Sequence, residues 1–187
     1  EKRKIKFKVN PGEGAFYGPK IDFPIKDSLG RTWQLATVQV DFQMPERFDV
    51  SYIDKAGKQQ RPVIIHRVVY GSIERFMGIL VEHYQGKFPL WLAPTQVRVI
   101  SFTDRNIVYA KKIEAELRNA GLRIDSDHAA ETVEYKVREA QVQRIPYVIV
   151  VGDKEEKGKT VAVRKWGKDE KAKFGVKLEA FVKQLRE

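Results

Sequence analysis

The amino-acid sequence predicts an α/β chain of the α+β kind: an antiparallel sheet carrying one helix, followed by a small mixed α/β unit. Three observations predict it. In the first part, strand-length segments follow one another across short polar connections, as in an antiparallel series. In the second, strands alternate with helix-length amphipathic segments, the pattern of parallel pairing with helical crossovers. Between them, QGKFPLWLAPTQ holds Pro89 and Pro94 in a stretch that continues neither period, dividing the chain into residues 1–93 and 94–187.

The elements follow in order. IKFKV alternates over residues 5–9 and reads as a strand; NPGEGAFYGPK, with three glycines and two prolines, breaks it before IDFPI resumes an extended pattern. DSLGR is a turn signal, WQLATVQVDFQM a long strand-like run, and FDVSYI, KAGKQQ and PVIIHRVVY complete the series. Alternation over residues 63–70 puts Val63, Ile65, Arg67 and Val69 on one face and Ile64, His66, Val68 and Tyr70 on the other. The period then changes: Ile73, Phe76, Met77, Leu80 and Val81 recur at helical spacing, predicting a mostly buried helix entered through Gly71 and Ser72, with Ser72 and Arg75 on one side of it. Beyond the prolines, VRVISF, LRIDSD, YVIVVG and KTVAVRKW read as strands. NIVYAKKIEAELRNAG, closed by Gly121, ETVEYKVREAQVQR and GVKLEAFVKQLRE read as helices.

Composition narrows the function classes. At 187 residues and 42% hydrophobic the chain can bury real cores. Its 35 Lys and Arg against 25 Asp and Glu leave a formal charge of +10, which favours a polyanionic partner such as nucleic acid, the plain alternative being a solvated surface. With no cysteine, disulfides and thiolate chemistry are excluded and any metal must use His, carboxylates or another segment. No apolar run approaches the roughly 20 residues needed to span a bilayer, and EKRKIKFKV lacks the apolar core of a secretory signal, so the expectation is a cytoplasmic protein with no membrane partner.

Candidate chemistry begins with Arg75, a permanent cation in an apolar helix. Two readings stand: an internal ion pair with Glu74, Glu82 or an acid across the core, or a guanidinium held at a strand-helix edge to bind phosphate oxygens. His66, on an apolar strand, is either a hydrogen-bonded core residue or a ligand, and His83 and His128 lack ligand-like spacing to it. FYGPK puts Tyr17 and Lys20 on a glycine-bracketed loop, either a ligand-approach loop or a turn. Gln34 and Gln39 sit among apolar strand residues, and buried amides need partners. Lys136, Arg138, Arg144, Lys159, Arg164, Lys165 and Lys168 cluster with Tyr135, Tyr147 and Trp166, a composition that suits phosphate binding and base stacking as well as a solvated face.

GSIERF after a long antiparallel run resembles motif 3 of the class II aminoacyl-tRNA synthetases, in which a strand passes through glycine into a helix bearing an ATP-binding arginine. AFYGPKIDF, WQLATVQVDFQMPERF, VIIHRVVYGSIERFMGILVEHYQGKFPLWLAPTQV and IPYVIVVGDKE are similar to the threonine-specific branch of that family. The resemblance implies a class II catalytic-domain portion over residues 1–93 and an anticodon-binding domain over 94–187. It implies that Arg75 binds the ATP γ-phosphate, that Gln34 and Lys20 lie near the adenylate or its phosphates, and that Tyr17, Gln39, Gly71 and Ser72 lie around the bound threonine. His66 would be one of three protein ligands to zinc, with two more from outside this segment, and ATP would enter with Mg. Arg138, Glu155 and Arg164 match anticodon-reading positions, with Arg144 an addition. The implied partners are threonine, ATP and tRNA(Thr), and the implied parent is a homodimer.

Two departures accompany the resemblance. DHAAETV stands where the family often has an Arg-Asn pair, and Ala129 and Ala130 offer no such polar contacts. Motifs 1 and 2 and the remaining zinc ligands would lie upstream of Glu1, so these residues alone are expected to form negligible adenylate. A noncatalytic synthetase-like tRNA-binding module is the alternative, and a prolyl or seryl relative a third.

Overall fold

A computed structural model describes residues 5–167 and 171–186. The chain forms two compact units, Glu1–His83 and Tyr84–Glu187. The division falls ahead of Pro89 and Pro94 because the segment between is tied to the second unit: Arg123 donates to the carbonyls of Trp91 and Ala93, and Gln96 to that of Leu90.

In the first unit, strands β1 (Lys20–Lys26), β2 (Thr32–Asp41) and β5 (Ile64–Val68) form an antiparallel sheet in the order β1-β2-β5, while β3 (Tyr52–Ile53) and β4 (Gln59–Gln60) form a separate hairpin. The turn between β1 and β2 is built by one carboxylate. Asp27 accepts the backbone N–H groups of Leu29 and Arg31, the guanidinium Nε–H of Arg31 and the indole N–H of Trp33. Burial raises its pKa, but these donors outweigh that cost and hold the carboxyl at about 2. A depressed carboxylate pKa contributes stability that is present above 3.8 and lost as the pH falls toward about 2. Acid unfolding followed by circular dichroism is therefore expected to shift to higher pH in Asp27→Asn, and coincident acid transitions would refute the assignment.

Three local expectations are corrected. Residues 5–9 form no strand: Ile5, Phe7 and Val9 are exposed and pair with nothing among the described residues. The long strand stops at Asp41 rather than Met44, because the Asp41 carboxylate accepts the N–H groups of Gln43 and Met44 and starts helix α1 (Gln43–Arg47). Helix α2 (Ile73–Tyr84) has the expected period but no buried residue; Ile73, Met77 and Val81 make an exposed apolar stripe. The spacing fixed which side chains align, not whether anything in the chain covers them.

The second unit holds a mixed sheet in the order β10-β9-β8-β6-β7, built from β6 (Val97–Ser101), β7 (Ile124–Asp127), β8 (Tyr147–Val151), β9 (Val161–Lys165) and β10 (Lys173–Val176). β6 pairs in parallel with β7 and β8, and β9 is antiparallel to β8 and β10. Helices α3 (Ile107–Asn119) and α6 (Leu178–Arg186) bury Ala110, Ile113, Leu117 and Phe181 against Val97, Val99, Ile149 and Val161. Helix α4 (Val133–Val142) covers the opposite face through Val137 and Ala140 on Ile100 and Val148. A short helix α5 (Asp153–Gly158) and the edge strand β10 add to the elements that the sequence predicts; each is too short for periodicity to register. No helix among the described residues is long and apolar enough to cross a membrane.

Candidate functional site

In the first unit, the candidate side chains meet on one face of the three-stranded sheet. Register places Lys20 opposite Gln39, Asp22 opposite Thr37, and Gln39 opposite His66, and directly opposed residues share a face. Gln34, of opposite parity to Gln39, should point away. It does not, because the register shifts between Phe23, which pairs with Ala36, and Pro24, which pairs with Gln34. Leu35 is the extra residue of a β-bulge, and Pro24, which has no N–H to give a ladder, is suited to that place. The Gln34 amide consequently reaches Asp22 at 2.6 Å.

The bulge also receives the helix. Gly71 has φ +64°, and a Cβ there would lie 2.6 Å from the Leu35 carbonyl oxygen, so only glycine fits against the bulge. Ser72 starts α2: its hydroxyl accepts the Arg75 N–H at 3.4 Å and donates to Glu74 at 2.7 Å. One turn into the helix, Arg75 Nη1 donates to the Gln34 carbonyl at 3.0 Å, and the guanidinium lies 5.7 Å from the Trp33 ring. The expected alternatives for an ion pair are taken: Glu74 holds Ser72, and Glu82 pairs with Arg31 at 3.1 Å. Arg75 is exposed, and no carboxylate pairs with it among the described residues.

Electrostatics separates Lys20 from Arg75. Lys20 bonds Asp22 at 2.8 Å, which raises the lysine pKa and lowers that of the acid; Asp22 also accepts from Thr37 and Gln34. The Lys20 charge is thus paired in place, whereas no carboxylate among the described residues stands against Arg75. Neither glutamine is a fully buried amide, and both have protein partners: Gln34 is exposed and bonded to Asp22, and half-buried Gln39 accepts the Tyr17 hydroxyl.

His66 stands at the same face, its ring edge-on to Tyr17 at 6.1 Å. Its Nε2 meets Asp41 Oδ2 at 2.9 Å. Backbone N–H donation from Met44 and then the His66 contact lower the pKa of Asp41, so it is an ionised acceptor and Nε2 carries the hydrogen. Nδ1 has no partner among the described residues, so in a neutral imidazole held this way it is the nitrogen with the free lone pair, the arrangement a metal-binding imidazole needs. No three His, Asp or Glu side chains converge as metal ligands among the described residues, so this set fits the part of a single ligand and not a complete site. Asp22 and Asp41 were absent from the candidates read from sequence; the available signal was a carboxylate interrupting an otherwise apolar strand.

In the second unit, Arg138, Glu155 and Arg164 line one cleft of about 940 Å³ between α4 and the sheet. Glu155 caps α5 by accepting the Gly152 N–H at 3.1 Å. The guanidinium groups of Arg138 and Arg164 have no hydrogen-bond or ion-pair partner among the described residues. Arg144 is elsewhere: with φ +60°, it lies 5.4 Å from the Trp166 ring, which Lys87 approaches at 4.9 Å. It is therefore separate from the other three. Lys136 is also no surface cation; it is 2% exposed and donates to the Ser101 carbonyl at 3.3 Å. Lys168 lies outside the described residues.

Comparison with known proteins accounts for both units. The family model described as "tRNA synthetase class II core domain (G, H, P, S and T)" matches residues 1–84, and that described as "Anticodon binding domain" matches residues 96–187. A threonine–tRNA ligase of Carboxydothermus hydrogenoformans is 53% identical over 100% of this chain and 30% of its own length. One of Syntrophomonas wolfei is 58% identical over 88% of the chain and 26% of its own length. The solved structure of the RNA binding domain of threonyl-tRNA synthetase from Cryptosporidium parvum superposes with a TM-score of 0.83 at 38% identity, covering 97% of this chain and 46% of that one. The chain thus spans about 30% of the length of the first of these curated relatives. With a core-domain match followed by an anticodon-domain match, and threonine-specific ligases as its relatives, the chain belongs to the class II aminoacyl-tRNA synthetase family.

Proposed function

We propose that the protein to which this chain belongs joins L-threonine to tRNA(Thr) through a threonyl-adenylate, with residues 1–93 part of the catalytic domain and 94–187 the anticodon-binding domain. The observation that carries this reading is the bulge at Leu35: it turns Gln34 onto the face of Lys20, Gln39 and His66 and supplies the carbonyl that anchors an arginine with no carboxylate partner.

The chemistry follows from charge and position. Attack of the threonine carboxylate on the ATP α-phosphate drives charge onto the departing pyrophosphate, and Arg75, prepositioned by Gln34 and Trp33, holds the γ-phosphate as that charge builds. Lys20 and Gln34 border the adenylate; Tyr17 and Gln39, bonded to each other, face the amino acid, with Gly71 and Ser72 forming the floor. His66, held by Asp41, would contribute one ligand to zinc, which when bound supplies a Lewis acid for the amino and hydroxyl groups of threonine; valine lacks that hydroxyl. ATP enters with Mg, the parent works as a homodimer, and its compartment is the cytoplasm.

In the second unit, unpaired Arg138 and Arg164 beside Glu155, the carboxylate that caps α5, suit the anticodon, with cations for phosphate and a carboxylate for base edges. Arg144 beside Trp166 is left to contact the backbone. The test is binding of tRNA(Thr) by the present chain across a salt series. Arg164→Ala is expected to weaken binding, reduce its salt dependence by about one phosphate contact and blunt discrimination against mismatched anticodons. Equal affinity of both proteins for matched and mismatched tRNAs would overturn the reading.

A further inference from the structure

The cleft of the second unit carries two features that charge does not explain. Phe102 is 60% exposed although it follows directly on fully buried β6, and Phe174, on edge strand β10, is 75% exposed. Both line the cleft that holds Arg138, Glu155 and Arg164. We propose that Phe102 and Phe174 are stacking platforms for unpaired bases of the bound RNA strand. This rests on the reading of residues 94–187 as an anticodon-binding domain and adds two residues to it.

Several observations support it. The sheet register assigns Phe174 to the α4 side: Lys173 pairs with Val163, so its neighbour Phe174 shares the face of Ala162 and Arg164. Phe102 is fixed at its root. Its N–H donates to the Val151 carbonyl at 2.9 Å, and its Cβ lies 3.4 Å from where a Cβ on Gly152 would stand, so the root of the side chain packs alongside Gly152. The strand order puts three strand steps between β6 and β10, about 14 Å, so the two rings serve different bases of one strand.

Charge selects the occupant. Of the acids along the cleft, Asp153 is bonded to Asn106 and Arg105, Glu155 caps α5 at Gly152, and Glu134 alone stands without a bonded partner, while Arg138, Lys154 and Arg164 are unpaired among the described residues, so the lining keeps a positive excess. Exposed phenyl faces interleaved with uncompensated arginines are the combination that binds single-stranded nucleic acid, since every base offers a π-face and every link a phosphate. An apolar peptide would leave the two guanidinium groups unanswered.

The experiment titrates the present chain into a synthetic RNA hairpin whose loop carries a threonine anticodon, with 2-aminopurine placed in turn at each loop position. Wild type is expected to bind and to change emission at two separated positions. Phe102→Ala and Phe174→Ala should each weaken binding by about 5- to 150-fold and abolish one of those changes. The slope of affinity against salt should stay as in wild type, because a phenyl ring neutralises no phosphate. Phe→Tyr should restore the signal and Phe→Leu should not. Both rings are exposed, so unchanged circular dichroism is expected in every variant. If wild type binds the hairpin with a steep salt dependence but the Phe variants bind equally well, or Leu serves as well as Phe, stacking is refuted while the anticodon reading stands. If wild type does not bind the hairpin, the anticodon reading itself fails.

Discussion

Replacing Arg75 by alanine in the full-length enzyme is expected to lower threonine-dependent ATP–pyrophosphate exchange by roughly 10²- to 10³-fold, the loss that follows removal of one preorganised group stabilising transition-state charge. The magnitude follows from the surroundings of the side chain. Its guanidinium is aligned before substrate arrives, by the Gln34 carbonyl and the Trp33 ring, and neither partner cancels its charge. Arg75→Lys is expected to recover little, because an ammonium cannot hold two oxygens while keeping the same anchor. The unfolding transition of the present chain should move little, since Arg75 is exposed. Exchange within a few-fold of wild type would place the phosphate-binding charge elsewhere.

The second large effect concerns His66. In the full-length enzyme, His66→Ala is expected to lose bound zinc, read directly by metal analysis after dialysis. Asp41→Asn separates orientation from ligation. Asparagine can still accept the N–H groups of Gln43 and Met44 through its single oxygen and so keep α1, but it then meets His66 Nε2 with an amide N–H, a donor where the carboxylate oxygen accepted. That variant should retain zinc with an affinity about 10- to 100-fold lower. Undiminished zinc in both variants would remove His66 from the ligand set.

What was legible in the sequence was periodicity and resemblance. Alternation located the three strands of the first sheet, and a change of period at Gly71 located the strand-helix junction that holds Arg75. In the second unit, strands broken by helix-length segments announced parallel pairing. The failures share a cause. A short alternating run such as residues 5–9 says that a strand is compatible, but a strand needs a partner. Likewise, the spacing of Ile73, Met77 and Val81 defines a stripe without saying what covers it.

By itself, the sequence determined which residue types were available and which elements they would form, because those depend on spacing within one segment. Only the tertiary structure decided which of them share a site. Gln34 and Gln39 have opposite parity, and strict alternation separates them; one additional residue in the β1–β2 pairing reverses that and opens a carbonyl for Arg75. Arg138, Glu155 and Arg164 converge across a helix, a loop and a strand, while Arg144, only six positions beyond Arg138, turns toward Trp166. Pairing register is set by contacts between segments distant in sequence, and no local pattern records it.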